Sequence, residues 1–302
     1  MLDIITFPMG YILRLIYDNI AFNSYGIAII MFTIFVKSLL LPLYIKQSQS
    51  TVKIGKLQPQ LQIIQNKYKK EPDKLNQEVM KLYKEYNVNP AGAMFPLIIQ
   101  MPILFSLYFV ISQPLKYMMN KSPEVIGKLF QLIPDGVNTV STMRDLSIIN
   151  YFSENPEKIA NIGNLISKND LLNMNFVGIN LGVVPTWNYH ELFSNSVGSS
   201  NLILLLIPIF AAFTTYLSVY FSMKQTMKGN ESSAGNQSIN SMNKMMLLIS
   251  PIMTGMISFS VPCGMGLYWI TGNLYQIFQQ MITNYVNSDK NKYSKSVQNL
   301  EE

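Results

Sequence analysis

The chain has 302 residues, of which 49% are hydrophobic and only 13% charged, with a formal net charge of +6. That balance points away from an ordinary water-soluble protein. A single cysteine, Cys263, and a single histidine, His190, leave no internal disulfide. They also supply too few ligands for the usual His and Cys metal sites and no typical His-activated nucleophile. With no Gly-rich phosphate loop or dinucleotide fingerprint either, neither a metal, a cofactor nor an enzymatic activity is expected.

Residues 1–20, "MLDIITFPMGYILRLIYDNI", carry Arg14 and Asp18 among apolar residues and lack the basic start and cleavage site of a secretory signal. Leu2, Ile5, Met9, Ile12, Ile16 and Ile20 recur at helical spacing. They predict an amphipathic helix lying in the membrane surface, with a simple extension of the first span as the alternative. Apolar stretches at 25–45, 93–115, 201–223 and 244–285 then approach the roughly 20 residues a helix needs to cross a bilayer. The last is broken by "SFSVPCGMG" and is long enough for two helices. Five spans are therefore expected, at 21–45, 91–116, 201–223, 244–261 and 263–286, in an all-α polytopic membrane protein. Asp and Glu avoid all five, which removes the paired intramembrane carboxylates of proton pumps.

Residues 46–90 hold nine lysines against four acids, placing this loop in the cytoplasm. Ile54, Leu57, Leu61, Ile64 and Tyr68 make one helical stripe, and Leu75, Val79, Leu82 and Tyr86 a second, with "KEPDK" between them. The pattern predicts an antiparallel helical hairpin. Its lysines suit anionic headgroups or ribosomal RNA, although a solvated face explains them as well. The loop 117–200 carries five basic residues against seven acids and belongs outside. Within it "EVIGKLFQLI" reads as a second interfacial helix. Residues 224–243, rich in Ser, Asn and Gly, suit a cytoplasmic connection, and the tail 287–302 is cytoplasmic too. The amino terminus is expected outside and the carboxyl terminus inside. Without disulfides, organelle signals or a long leader, the expected location is a bacterial plasma membrane.

One residue breaks the apolar pattern. In "MFTIFVKSLLLPLY", residues 31–44, Lys37 stands inside the first span, where a charge costs at least about 2.5–3.5 kcal/mol. It lies about 12 Å from the cytoplasmic end at roughly 1.5 Å per residue, with Thr33 on the same helical face. Snorkelling to the headgroups or a structural hydrogen bond would explain it, and so would a functional charge in a polar cavity. Other polar residues in the spans are Gln100, Thr214, Thr215, Ser218, Trp269, Thr271, Asn273 and Gln276. Ser and Thr in spans commonly bond to their own helix or a neighbour.

The stretch "NVNPAGAMFPLIIQMPILFSLYFVI", residues 87–111, resembles the YidC family of membrane protein insertases through Asn89, Pro90, Gly92, Phe95, Pro96, Gln100 and Pro102. "LQPQLQIIQNKY", "IPIFAAFTTYLS" and "PCGMGLYWITGNLYQIFQQ" extend the likeness over 20–117 and 200–285. The resemblance implies five core helices around a hydrophilic groove open to cytoplasm and lipid, with one positive residue on the first span. That residue is usually arginine; the matching position here is Lys37, which cannot make arginine's bidentate fork. By the same alignment Ser218 falls where the family often has Gln, and Trp269 where it has an aromatic residue facing the client path. The expected groove residues are thus Lys37, Thr33, Gln100, Thr215, Ser218, Trp269, Asn273 and Gln276.

The implied function is insertion and folding of small or single-span membrane proteins by a monomer acting without nucleotide hydrolysis. Nascent membrane proteins and the lipid bilayer are the expected partners, and the ribosome and the general secretory translocon are further candidates. A small-solute or anion transporter with an intramembrane lysine site is the alternative, as is an assembly chaperone without insertion activity. Against the transporter stands the lack of inverted repeats or matched glycine-broken helices.

Overall fold

The computed structural model describes residues 2–134, 143–186, 201–227 and 237–301. The chain is mostly helical, as the apolar periodicity demands, and divides into two compact units, each built from three chain segments. The unit comprising Met1–Val36, Met101–Thr215 and Pro251–Gly272 holds the main hydrophobic core. The other comprises Lys37–Gln100, Tyr216–Ser250 and Asn273–Glu302.

The first unit begins with α1, Asp3–Asn19, which buries Met9, Leu13, Ile16 and Tyr17 and leaves Ile4, Tyr11 and Leu15 outward. Most of α2, Tyr25–Leu39, belongs here and buries Tyr25, Ala28, Ile29 and Phe32. The second half of α6, Pro90–Ser112, adds Leu107, Val110 and Ile111. Three short helices follow: α7 (Pro114–Tyr117), α8 (Pro123–Gln131) and α9 (Arg144–Glu154). The segment read as "EVIGKLFQLI" forms α8, started by Pro123 at its first position and capped by Ser122, whose Oγ accepts from the Val125 amide.

Residues 175–180 form a two-stranded antiparallel hairpin, β1 (Asn175–Phe176) and β2 (Ile179–Asn180), paired Asn175 with Asn180 and Phe176 with Ile179. The chain leaving β2 closes the start of the Cys263–Glu301 helix. The Cys263 and Gly264 amides donate to the carbonyls of Val183 (2.8 Å) and Leu181 (2.9 Å), satisfying donors that a helix start otherwise leaves open. Gly266 lets this helix approach Leu206–Met227 closely, because a Cβ there would sit 2.1 Å from Ile207 Cγ2.

Asp145 at the start of α9 ties that helix to α7. It is 4% exposed and accepts from the Lys116 amide at 3.0 Å. Burial pushes its carboxyl up to about 6 against the opposing pull of the Lys116 and Leu115 amides and the Lys116 charge.

The second unit contains α3 (Leu41–Lys56), α4 (Gln58–Lys67) and α5 (Pro72–Glu85). The helix breaks at Leu40, where Pro42 has no N–H for the carbonyl of Ser38, and Pro59 follows the second break at Leu57. Leu57, Leu61, Leu82 and Val88 form the seam, with Ile54, Ile64, Val79 and Tyr83 half-buried against it. Tyr86 points outward, its hydroxyl accepting from Gln60 Nε2 at 2.9 Å, and Tyr83 takes the packing position instead. The Cys263–Glu301 helix runs unbroken through the stretch read as the tail.

Among the described residues, Leu202–Lys224 is by itself long and apolar enough to cross a bilayer, and α2 with α3 meets that length and composition only as a bent pair, a broken span or a re-entrant loop. Ile99–Ser112 and Leu247–Ser258 are shorter apolar helices. Ile209, Phe213, Leu248, Ile252, Met256 and Phe278 are all exposed. So many outward apolar side chains suit lipid better than water. The expected 224–243 connection and 117–200 loop lie partly outside the described residues, and His190 wholly so.

Candidate functional site: a lysine and two glutamines at one cavity

Lys37 stands in the last turn of α2, just before the Leu40 break. Within the second unit it lines a cavity of about 50 Å³ together with Leu40, Leu43, Tyr44, Ile99, Gln100 and Gln279. The space admits a few water molecules. Its polar groups are one ammonium, two amides and a phenol, set among aliphatic walls. The Gln279 amide reaches the Lys37 backbone carbonyl with Nε2 at 3.4 Å, which fixes one glutamine beside the lysine. On the neighbouring residue, Ser38 Oγ and the Tyr275 hydroxyl share a hydrogen bond of 2.7 Å.

Lys37 is half-buried and, among the described residues, no Asp or Glu forms an ion pair with it. An ammonium set beside amides can donate to an incoming anion or carbonyl.

The other expected groove residues are placed as follows. Gln100 shares the cavity with Lys37. Thr33 is buried in the first unit and donates through Oγ1 to the Ile29 carbonyl at 2.6 Å, so its hydroxyl serves its own helix. Thr215 behaves alike, donating to Ala211 at 2.8 Å. Trp269 is half-buried against the main core. In the second unit Ser218 is buried and its backbone carbonyl accepts from Gln280 Nε2 at 3.4 Å. Asn273 and Gln276 are half-buried on the Cys263–Glu301 helix. Among the described residues of the second unit, the structure therefore gathers Lys37 and Gln100 at one cavity, which Ser218, Asn273 and Gln276 do not line.

Gln279 and Gln280, both buried, were missed by reading the sequence for isolated polar residues. The signal was present: Gln276, Gln279, Gln280 and Thr283 recur at the three- and four-residue steps that share a helical face. Thr283, fully buried, donates to the Gln279 carbonyl at 2.8 Å.

The family model described as "60Kd inner membrane protein" matches residues 16–291. The membrane protein insertase YidC of Clostridium perfringens is 30% identical over 256 residues, covering 85% of this chain and 76% of that protein. YidC of Caldanaerobacter subterraneus is 29% identical over 274 residues, 91% of each chain. YidC of Clostridium tetani is 56% identical over a shorter stretch of 87 residues, 29% of this chain and 40% of that one. With nearly the whole length matched, this chain belongs to the YidC-type membrane protein insertase family.

Proposed function

We propose that this protein inserts small or single-span proteins into a bacterial plasma membrane by offering the Lys37 cavity as the polar end of a groove open to cytoplasm and lipid. The observation that carries the reading is the lysine lining one cavity with Gln100 and Gln279, with no ion-pair partner among the described residues. Family membership supplies the client class. The barrier to be lowered is solvation: a polar tail crossing hydrocarbon leaves each unpaired polar group at a cost of several kcal/mol.

Hydrated amides and an ammonium replace part of the lost water, so the apolar path shortens. The span of the client meanwhile leaves sideways into lipid. An acidic tail is drawn to Lys37, and at an effective dielectric near 20 the attraction at ~4 Å is about 4 kcal/mol before desolvation is subtracted. Contacts of that size are weak enough to release the client. The drive comes from burial of the client's apolar span and from the membrane potential. Five spans, with the lysine-rich α3–α5 region and the carboxyl terminus in the cytoplasm, complete this reading. The ribosome and the secretory translocon are its candidate partners, met on the lysine-rich face.

The test is reconstitution of the purified chain into liposomes with a small single-span client. Protected, membrane-integrated client, lost when Lys37 is replaced by Glu, supports the reading. Solute flux without client insertion supports the transporter, and neither activity supports an assembly chaperone.

A further inference from the structure

Two large apolar side chains in the first unit are held outward at backbone angles that disfavour them. Phe22, in the link between α1 and α2, has φ 52° and is 90% exposed; Val177, at the β1–β2 turn, has φ 52° and is 83% exposed. Positive φ is uncommon for any residue with a Cβ and a genuine outlier for a β-branched one. Two-residue hairpin turns of this hand ordinarily carry Asn or Asp before the Gly, and here Val177 precedes Gly178 at φ 77°. Asn23, at φ 54°, occupies the same region with a side chain suited to it.

Neither conformation is a loose end. The Asn23 amide donates to the Tyr17 carbonyl at 3.3 Å, and the Ser24 amide to that of Ala21 at 2.9 Å. The hairpin is seated against α2: Phe176 fills the space at Gly26, where a Cβ would lie 2.3 Å from the ring Cγ. The Tyr25 amide donates to the Asn173 carbonyl at 3.1 Å. Phe22 therefore stands three residues ahead of the start of α2, and Val177 follows the residue packed on its first turn. Both tips thus adjoin the start of α2, the end at which that helix would enter the bilayer.

We propose that Phe22 and Val177 form a two-point anchor that inserts into the outer leaflet at the boundary between headgroups and acyl chains and sets the depth at which α2 begins. The inference rests on reading the apolar helices as spans. Lipid is the occupant that fits, because both exposed apolar tips adjoin the start of α2, Phe22 three residues ahead of it and Val177 next to the Phe176 packed on Gly26. Strain persists in a fold where the surroundings impose it and often marks function; apolar insertion gives these two positions a use that Asn would not serve.

Single nitroxide labels at Phe22→Cys and Val177→Cys, in a Cys263→Ala background of the full chain, test this in vesicles of phosphatidylethanolamine and phosphatidylglycerol. Collision of each label with oxygen and with a water-soluble nickel chelate gives its depth. A label at Ile209→Cys, an exposed residue of the Leu202–Lys224 stretch, reports separately on spanning. Both tip labels are expected about 5–10 Å below the headgroups, where oxygen collisions exceed nickel collisions. Tip labels in water with the Ile209 label deep overturn the anchor and leave the spans intact. Tip labels shielded from both reagents mean that protein covers them, which also overturns it. An Ile209 label in water overturns the anchor together with the spanning reading beneath it.

Discussion

Replacing Asp145 with Asn should abolish a specific pH dependence of the fold. The carboxyl has its ordinary value of 3.8 in the unfolded chain and about 6 in the folded one, so ionisation is disfavoured by folding. The folded state then holds more protons than the unfolded state between those values. Stability contributed by Asp145 is accordingly greatest in acid and falls as pH rises through that window, levelling above it. A shift of about two units corresponds to about 3 kcal/mol, most of it lost between about pH 4 and pH 7. The Asn side chain keeps an acceptor for the Lys116 amide, 3.0 Å away in the native carboxylate, and has no charge to bury.

The assay is denaturation of wild type and Asp145→Asn in the same detergent at about pH 4.5, 5.5 and 7.5. The difference between the two proteins, rather than either curve, isolates this group. The variant should gain on wild type by about 2 kcal/mol from the lowest to the highest pH. A difference that stays constant, or moves in favour of wild type as pH rises, would refute the argument that desolvation dominates at this site.

Other perturbations test the packing. Leu61→Ala empties the seam between α4 and α5, where Leu61 is buried with Leu57, Leu82 and Val88; a loss of about 2 kcal/mol, the low end for a core leucine beside half-exposed neighbours, is expected. Hydrogen exchange in α5 should quicken while the Leu206–Met227 helix is unaffected, and unchanged α5 protection would contradict the seam. Gly26→Ala places a methyl 2.3 Å from the Phe176 ring and should cost about 1–3 kcal/mol in thermal stability. The double variant Gly26→Ala with Phe176→Ala should lose less than the two single losses added, and simple additivity would show that the hairpin does not sit there.

What was legible in the sequence followed local periodicity. The stripes Ile54–Leu57–Leu61–Ile64 and Val79–Leu82 are visible without any tertiary knowledge because one helix face repeats every three to four residues, and the seam uses those residues. Lys37 was conspicuous because a charge in an apolar run has a cost. The β1–β2 hairpin was not legible: Val177 and Gly178 lack the usual turn dipeptide, and its pairing involves only four residues. Nor was the link from Asp145 to Lys116, which joins residues 29 apart, or that from the Asn173 amide to the Tyr17 hydroxyl, 156 apart. Contacts at such separations leave no period in the chain. The hydroxyls of Thr33 and Thr215 bond to carbonyls four residues back, an alternative that a list of polar residues in apolar runs does not distinguish from a cavity lining.

The measurement closest to the central claim is insertion of matched clients that differ only in the charge of the translocated tail. Wild type, Lys37→Arg, Lys37→Ala and Lys37→Glu are compared in liposomes at equal folded abundance. If Lys37 acts as a groove charge, Arg retains insertion, while Ala and Glu impair clients with Asp or Glu in the tail and affect neutral tails less. The difference between tails should not exceed about 4 kcal/mol, the contact attraction at an effective dielectric near 20. Losses that ignore tail charge would contradict an electrostatic role for Lys37 while leaving membership of the insertase family untouched.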